Sequence, residues 1–128
     1  MSIEDIPSFG LIHCSAIDNI IVIRPLRAIF AGEQVREFFL FFQSYKNQPD
    51  HRLILDISQC DYASSEALGA ITSCWQWHQK DNRRFALVVP STSDNYIAEL
   101  LSISNLDHTM GETIQKSMQA ALAHMRRA

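Results

Sequence analysis

Two adjacent serines, Ser64 and Ser65, with Asp56 and Asp61 before them and Glu66 after, form the densest group of chemistry-bearing residues in the chain. Ser64 suits a helix N-cap, its hydroxyl accepting from the free amides of a first turn. Glu66 in that turn complements the positive end of the helix dipole. Ser65 then stands at the first helical position, near the surface and beside unpaired backbone amides. A phosphate on Ser65 would meet the positive helix end and fit without refolding the domain. It would also add roughly two negative charges to a surface patch, enough to repel a partner that tolerates a neutral serine. The plainer reading is that both serines only cap and solvate the start of a helix.

Other chemistries find less support. Cys74 and His78 lie four apart, and His13 adjoins Cys14, but a zinc site needs three or four converging ligands. Cys74 and His78 are therefore expected at the edge of a core, and no metal is expected. No G-x-S-x-G turn, P-loop or G-x-G-x-x-G occurs, and the chain holds four glycines, so neither a hydrolase elbow nor a glycine phosphate cradle is expected. The expectation is a protein without catalytic residues or cofactor. A net charge of −3, with Arg83-Arg84 and Arg126-Arg127 as its basic pairs, argues against a nucleic-acid surface. The apolar clusters Ile20–Ile23 and Phe38–Phe42 fall far short of the roughly 20 residues that span a bilayer. Acidic residues in Met1-Ser2-Ile3-Glu4-Asp5 stand where a secretory signal carries positive charge. The three cysteines lack CxxC spacing, which suits reduced thiols. The expected location is the cytoplasm.

The elements that must position the serines follow from periodicity. A lead-in ends near Pro7; Leu11–Cys14 and Ile20–Ile23 then read as a hairpin turning at Asp18-Asn19, with Pro25 stopping its second strand. From Gly32 to about Asn47 the period is helical, with Val35, Phe38, Phe39, Phe42 and Tyr45 as the apolar stripe, Leu40 opposite and Phe41 on the shoulder. Gln48-Pro49-Asp50 ends that helix. Leu53–Ile57 reads as a strand covered on both faces. A loop over 58–63 leads to a helix from about Ser64 to Lys80, with Leu68, Ile71, Trp75 and His78 on one face. Phe85–Val89 is a second buried-type strand, and Pro90-Ser91-Thr92-Ser93 approaches a helix carrying Ile97, Leu100 and Leu101. Thr109-Met110 is expected as a last short strand, before a closing helix with Ile114, Met118, Ala121, Leu122 and Met125. Alternating strands and helices require a largely parallel sheet beyond the hairpin. The chain of 128 residues is expected to be a single α/β domain over 1–128, with a mixed, mainly parallel sheet of four or five strands and about four helices.

In its order and spacing the sequence resembles the STAS domain family, whose members include anti-sigma factor antagonists. That family has a strand ending in Asp, a short loop and a D-S-x-G-L-G-like motif opening an apolar helix. Here Leu53–Ile57 carries Asp56, and the motif reads Ser64-Ser65-Glu66-Ala67-Leu68-Gly69. The resemblance continues through Phe85–Pro90 and Leu100, Leu101, Asn105 and Leu106 to a helix over 113–126, covering about residues 8–126. It implies a STAS-like fold and a bacterial regulator of transcription that binds an anti-sigma factor with serine kinase activity, or another STAS-type protein. It places the phosphoacceptor on Ser65, with Ser64 as a second candidate. Two positions depart from the motif: Ser64 replaces its Asp, and Ala67 its Gly. Where the family often has G-x-L-D after the second strand, this chain has Arg24-Pro25-Leu26-Arg27. Arg27 then either holds a phosphate or pairs with Glu66 or Asp56.

The expected partner surface centres on residues 58–69 with the 26–30 loop beside it. Its members are Arg27, Phe30, Asp61, Tyr62, Ser64, Ser65 and Glu66, within an electrostatic frame of Asp56 and Glu66. Ile29, Phe30, Leu40 and Phe41 either extend an exposed apolar patch or cover a helix end. Trp75 belongs to the core stripe, while Trp77 covers an edge or joins a contact surface. The alternatives are a scaffold without phosphorylation and a small-molecule sensor. The sensor would need a sizeable apolar pocket near Trp75 and the closing helix.

Overall fold

The computed structural model describes residues 10–48, 51–91 and 95–126. The lead-in through Pro7, Pro49-Asp50, Thr92-Ser93 and Arg127 lie outside the described residues.

Strands β1 (Ile12–Ile17) and β2 (Ile20–Pro25) form the antiparallel hairpin. Asp18 takes a positive φ of 57° at its turn, a conformation Asp and Asn tolerate better than most residues. Helix α1 (Glu33–Tyr45) leads to β4 (Arg52–Asp56), by way of which the chain reaches α2 (Ser65–Lys80) and β6 (Phe85–Val88). Two very short strands, β3 (Ile29–Phe30) and β5 (Tyr62–Ala63), flank these elements. Helices α3 (Tyr96–Ile103) and α4 (Leu106–Met110), a 3-10 turn (Gly111–Thr113), β7 (Ile114–Gln115) and α5 (Met118–Met125) complete the described order.

The main sheet runs β1-β2-β4-β6-β7, with every pairing after the hairpin parallel. Continuous apolar strands belong in such a sheet because helices cover both faces. Successive residues alternate faces. Leu53, Leu55, Phe85 and Leu87 join the core that includes α1 and α2 residues, while Ile54, Ala86 and Val88 meet Ala121 and Met125 of α5.

Three expectations change. Thr109-Met110 ends α4, and the last strand is Ile114–Gln115, paired with Leu87 and Val88. Ile114 therefore leaves the closing helix, which begins at Met118 behind the Ser117 cap. In α1, Phe41 is buried and Phe39 is 39% exposed, reversing their expected places. At roughly 100° per residue both flank the Phe38 and Phe42 rows, so periodicity alone does not choose between them. The buried side runs through Gln34 and Phe41, which sets the helix's rotation against the sheet.

Candidate functional site

The serine pair stands where β4 hands over to α2. Ser64 is the N-cap in extended conformation, and its Oγ accepts from Ala67 N–H at 3.1 Å. Its own N–H donates to the Phe30 carbonyl at 3.1 Å. Ser65 is the first helical residue, is exposed, and its hydroxyl has no partner among the described residues. Glu66 follows, also exposed, in the first turn.

The preceding loop is held at both ends. Asp56, buried at the end of β4, accepts from the Ser58 N–H at 3.0 Å and the Ser58 hydroxyl at 2.6 Å. Its other carboxylate oxygen pairs with Arg24 Nε at 3.3 Å. A buried carboxylate is strongly disfavoured without such partners. The cation that answers Asp56 is thus Arg24, so of the alternatives open to Arg27 the pairing with Asp56 is not the one formed. Arg27 is exposed and makes no ion pair among the described residues. Through Ser58 and Arg24, Asp56 pins the loop from the strand side.

From the other side, β3 and β5 form a parallel two-stranded ribbon, pairing Ile29 with Tyr62 and Phe30 with Ala63. The Asp61 N–H donates to Ala28 O at 2.6 Å, and Cys60 Sγ lies 3.8 Å from Arg27 O. Burial, followed by the charges of Asp56 and Asp61, pushes the Cys60 thiol up to about 11, so it stays neutral. The ribbon draws the 26–30 loop against the 58–65 segment and sets Arg27, Asp61, Tyr62 and the serines on neighbouring stretches of chain. Phe30 is fully buried, packing edge-on against Phe38 at 5.8 Å. It supports the loop from beneath, correcting its expected place on the contact surface. Leu26 and Ile29 are the exposed large apolar residues of that loop.

Tyr62 stacks on Tyr96 of α3, with centroids 5.3 Å apart and planes within 17°; both rings are more than two-fifths exposed. Sequence reading missed Tyr96, because nothing in its spacing links it to Tyr62. Alongside Glu66, an open groove of about 490 Å³ carries Phe39 and Leu40 of α1. Leu40 is 56% exposed, as its place on the far side of the helix predicts, while its expected companion Phe41 lies in the core.

The opposite end of α2 is closed. His78 donates from Nδ1 to the Cys74 carbonyl at 2.7 Å, since a carbonyl only accepts, and its Nε2 meets the Tyr45 hydroxyl at 2.8 Å. Phe42, Trp77 and Phe85 surround the ring. Burial, the largest influence, holds His78 down at about 4. Cys74, fully buried, is pushed well above the ordinary thiol range by the same cause. Trp77 covers this cluster, with the Arg83 guanidinium 4.9 Å from its ring centre. Among the described residues no group of three or more His, Cys, Asp or Glu could hold a metal ion, and no helix is long and apolar enough to cross a membrane.

No protein-family model matches the chain, and no curated protein matches it. Solved structures do. The crystal structure of a candidate anti-sigma factor antagonist from Thermotoga maritima superimposes with a TM-score of 0.74 at 22% identity, covering 91% of this chain and 95% of that one. The solution structure of TM1081, the same protein, gives 0.69 at 23% identity, with 95% and 94% covered. The likeness establishes a STAS-like fold with a mixed, mostly parallel five-stranded sheet.

Proposed function

We propose that this STAS-like domain is a bacterial, non-enzymatic regulator that resembles an anti-sigma factor antagonist and binds a protein partner through the mouth of α2. Phosphorylation of Ser65 gates that binding. The observation that carries the reading is the exposed, unpartnered Ser65 hydroxyl at the first position of a 16-residue helix whose cap is already supplied by Ser64. Capping and accepting are thus divided between the two serines, so modifying Ser65 leaves the cap intact. Arg27, Asp61, Tyr62, Ser64, Ser65 and Glu66 make up the polar part of the contact, and Leu26, Ile29 and Tyr96 add exposed apolar surface. The partner is an anti-sigma factor of the kinase fold or another STAS-type protein, and the protein works in the cytoplasm.

The Thermotoga likeness supports this kind of function through the shared fold. The test has two arms. Affinity capture from host cells, with mass spectrometry of Ser64 and Ser65 in the same sample, is expected to recover a kinase-fold protein and phosphate on Ser65. With the captured partner purified, Ser65→Asp is expected to weaken binding about tenfold or more while Ser65→Ala binds normally. Equal affinity of Ser65→Asp and the unaltered chain would remove the switch and leave a scaffold.

A further inference from the structure

The five-stranded sheet has two edges of unequal character. At one of them β7 offers only two residues, Ile114–Gln115, too short to template another strand. At the other, β1 offers six, Ile12–Ile17. Sheet edges carry unpaired N–H and C=O groups, and soluble proteins guard them with charged side chains, proline, bulges or a covering element. β1 holds no Lys, Arg, Asp, Glu or Pro, and its pairing with β2 runs without a bulge.

The hairpin register shows which backbone groups look outward. The Leu26 N–H donates to Leu11 O at 3.0 Å, which makes Leu11 and Leu26 a hydrogen-bonded pair. Such pairs alternate along an antiparallel ladder, so His13–Arg24, Ser15–Val22 and Ile17–Ile20 also exchange bonds within the hairpin. Ile12, Cys14 and Ala16 therefore turn their N–H and C=O groups away from β2. Ile12 is buried at 2% exposure, but Cys14 and Ala16 are partly exposed. Neither of these two has an outward backbone partner among the described residues. Near the hairpin turn, Ile17 is 38% exposed and shares a face with His13, which is exposed as well.

We propose that β1 is a docking edge for a second copy of this chain, the two β1 strands joining antiparallel about a two-fold axis at Ser15. In this register Cys14 of each copy lies opposite Ala16 of the other, and their outward groups satisfy one another as hydrogen-bonded pairs. Ile17 lies opposite His13 of the second copy, whose ring covers the exposed isoleucine. The buried backbone of Ile12 takes no part. A second copy fits this edge because antiparallel pairing of identical strands is self-complementary, as a two-fold interface requires. A strand without charges also sets no like charge against itself. So short a seam belongs with small, transient interfaces, and the dissociation constant is expected on the order of 100 μM. None of these residues belongs to the serine-pair surface, and the pairing does not rest on Ser65 being phosphorylated.

Sedimentation equilibrium of the full chain, kept reduced with dithiothreitol, reads the association between about 10 μM and about 1 mM. Monomer is expected at the low end and mostly dimer at the high end. Amide hydrogen exchange at the same two concentrations locates the seam, and the Cys14 and Ala16 amides should slow about fivefold in the concentrated sample. Ala16→Pro removes an outward N–H and leaves the ladder to β2 intact, since the Ala16 N–H points away from β2. That variant is expected to associate about tenfold more weakly or less. Where it does not fold, the exchange measurement on the unaltered chain decides. A chain still monomeric at about 1 mM overturns the proposal. So does a dimer whose Cys14 and Ala16 amides exchange as fast as in dilute protein, or Ala16→Pro pairing as tightly as the unaltered chain.

Discussion

The two ends of α2 belong to one helix yet live under opposite rules. At its C-terminal end, His78 sits inside a box of Tyr45, Phe42, Trp77 and Phe85, with both ring nitrogens engaged. At its N-terminal end, Ser65 and Glu66 face solvent, and order comes from a cap, a ribbon and the Asp56 anchor. The contrast teaches how a domain can offer a modifiable residue without endangering itself. Dispersion and burial hold one end of the helix firmly, so the other needs only a few hydrogen bonds to hold its shape.

The largest test of this contrast is Phe42→Ala, which removes a ring at the centre of the box. It should cost about 3–5 kcal/mol, read from urea denaturation, and leave little folded protein at physiological temperature. A loss under about 1 kcal/mol would mean that the box does not anchor the helix.

Acid should loosen the same end. His78 is held at about 4 in the folded chain against an ordinary 6.5, so the unfolded chain binds its proton first. The stability His78 contributes is therefore complete above about pH 6.5 and is lost as pH falls toward 4. Unfolding free energy should drop by about 2 kcal/mol between pH 7.5 and pH 5. His78→Gln should flatten that slope, and an unchanged slope would assign the acid sensitivity to other groups.

The open end should respond more weakly. Ser64→Ala removes the cap bond to Ala67 and should lower stability by about 1 kcal/mol, whereas Ser64→Gly should cost only a few tenths. Smallest of all, Ser65→Asp should leave the thermal midpoint almost unchanged, with about 0.5 kcal/mol of gain from the helix dipole at most. A large loss on Ser65→Asp would show that the hydroxyl serves structure, and the comparison between the two ends would fail.

Much of this arrangement was legible in the residues. The hairpin with its Asp18-Asn19 turn, the strand carrying Asp56 and the Ser64 cap all emerged where local signals are strong. Local signals depend on periodicity over several residues or on a side chain reaching its own backbone, and neither needs the rest of the fold. The ribbon of β3 and β5 was not legible. Two-residue strands have no period to detect, and their stability comes from each other across more than thirty positions of chain. Tyr96 was missed for the same reason, since its stack with Tyr62 joins two elements far apart in sequence. The strand at Ile114–Gln115 was read as helix because its apolar spacing also continues the pattern of α5.

By itself the sequence determined which segments could be strands or helices and that a serine pair would open one of those helices, because propensity, capping and apolar spacing act within a few residues. Tertiary packing alone decided that Phe30 and Phe41 go inside while Phe39 stays at the surface, and that Asp56 answers Arg24 rather than Arg27. It also decided that β1 lies at an edge of the sheet. These outcomes depend on how whole elements rotate and dock, and a buried charge or ring settles on whichever partner the assembled fold brings within reach.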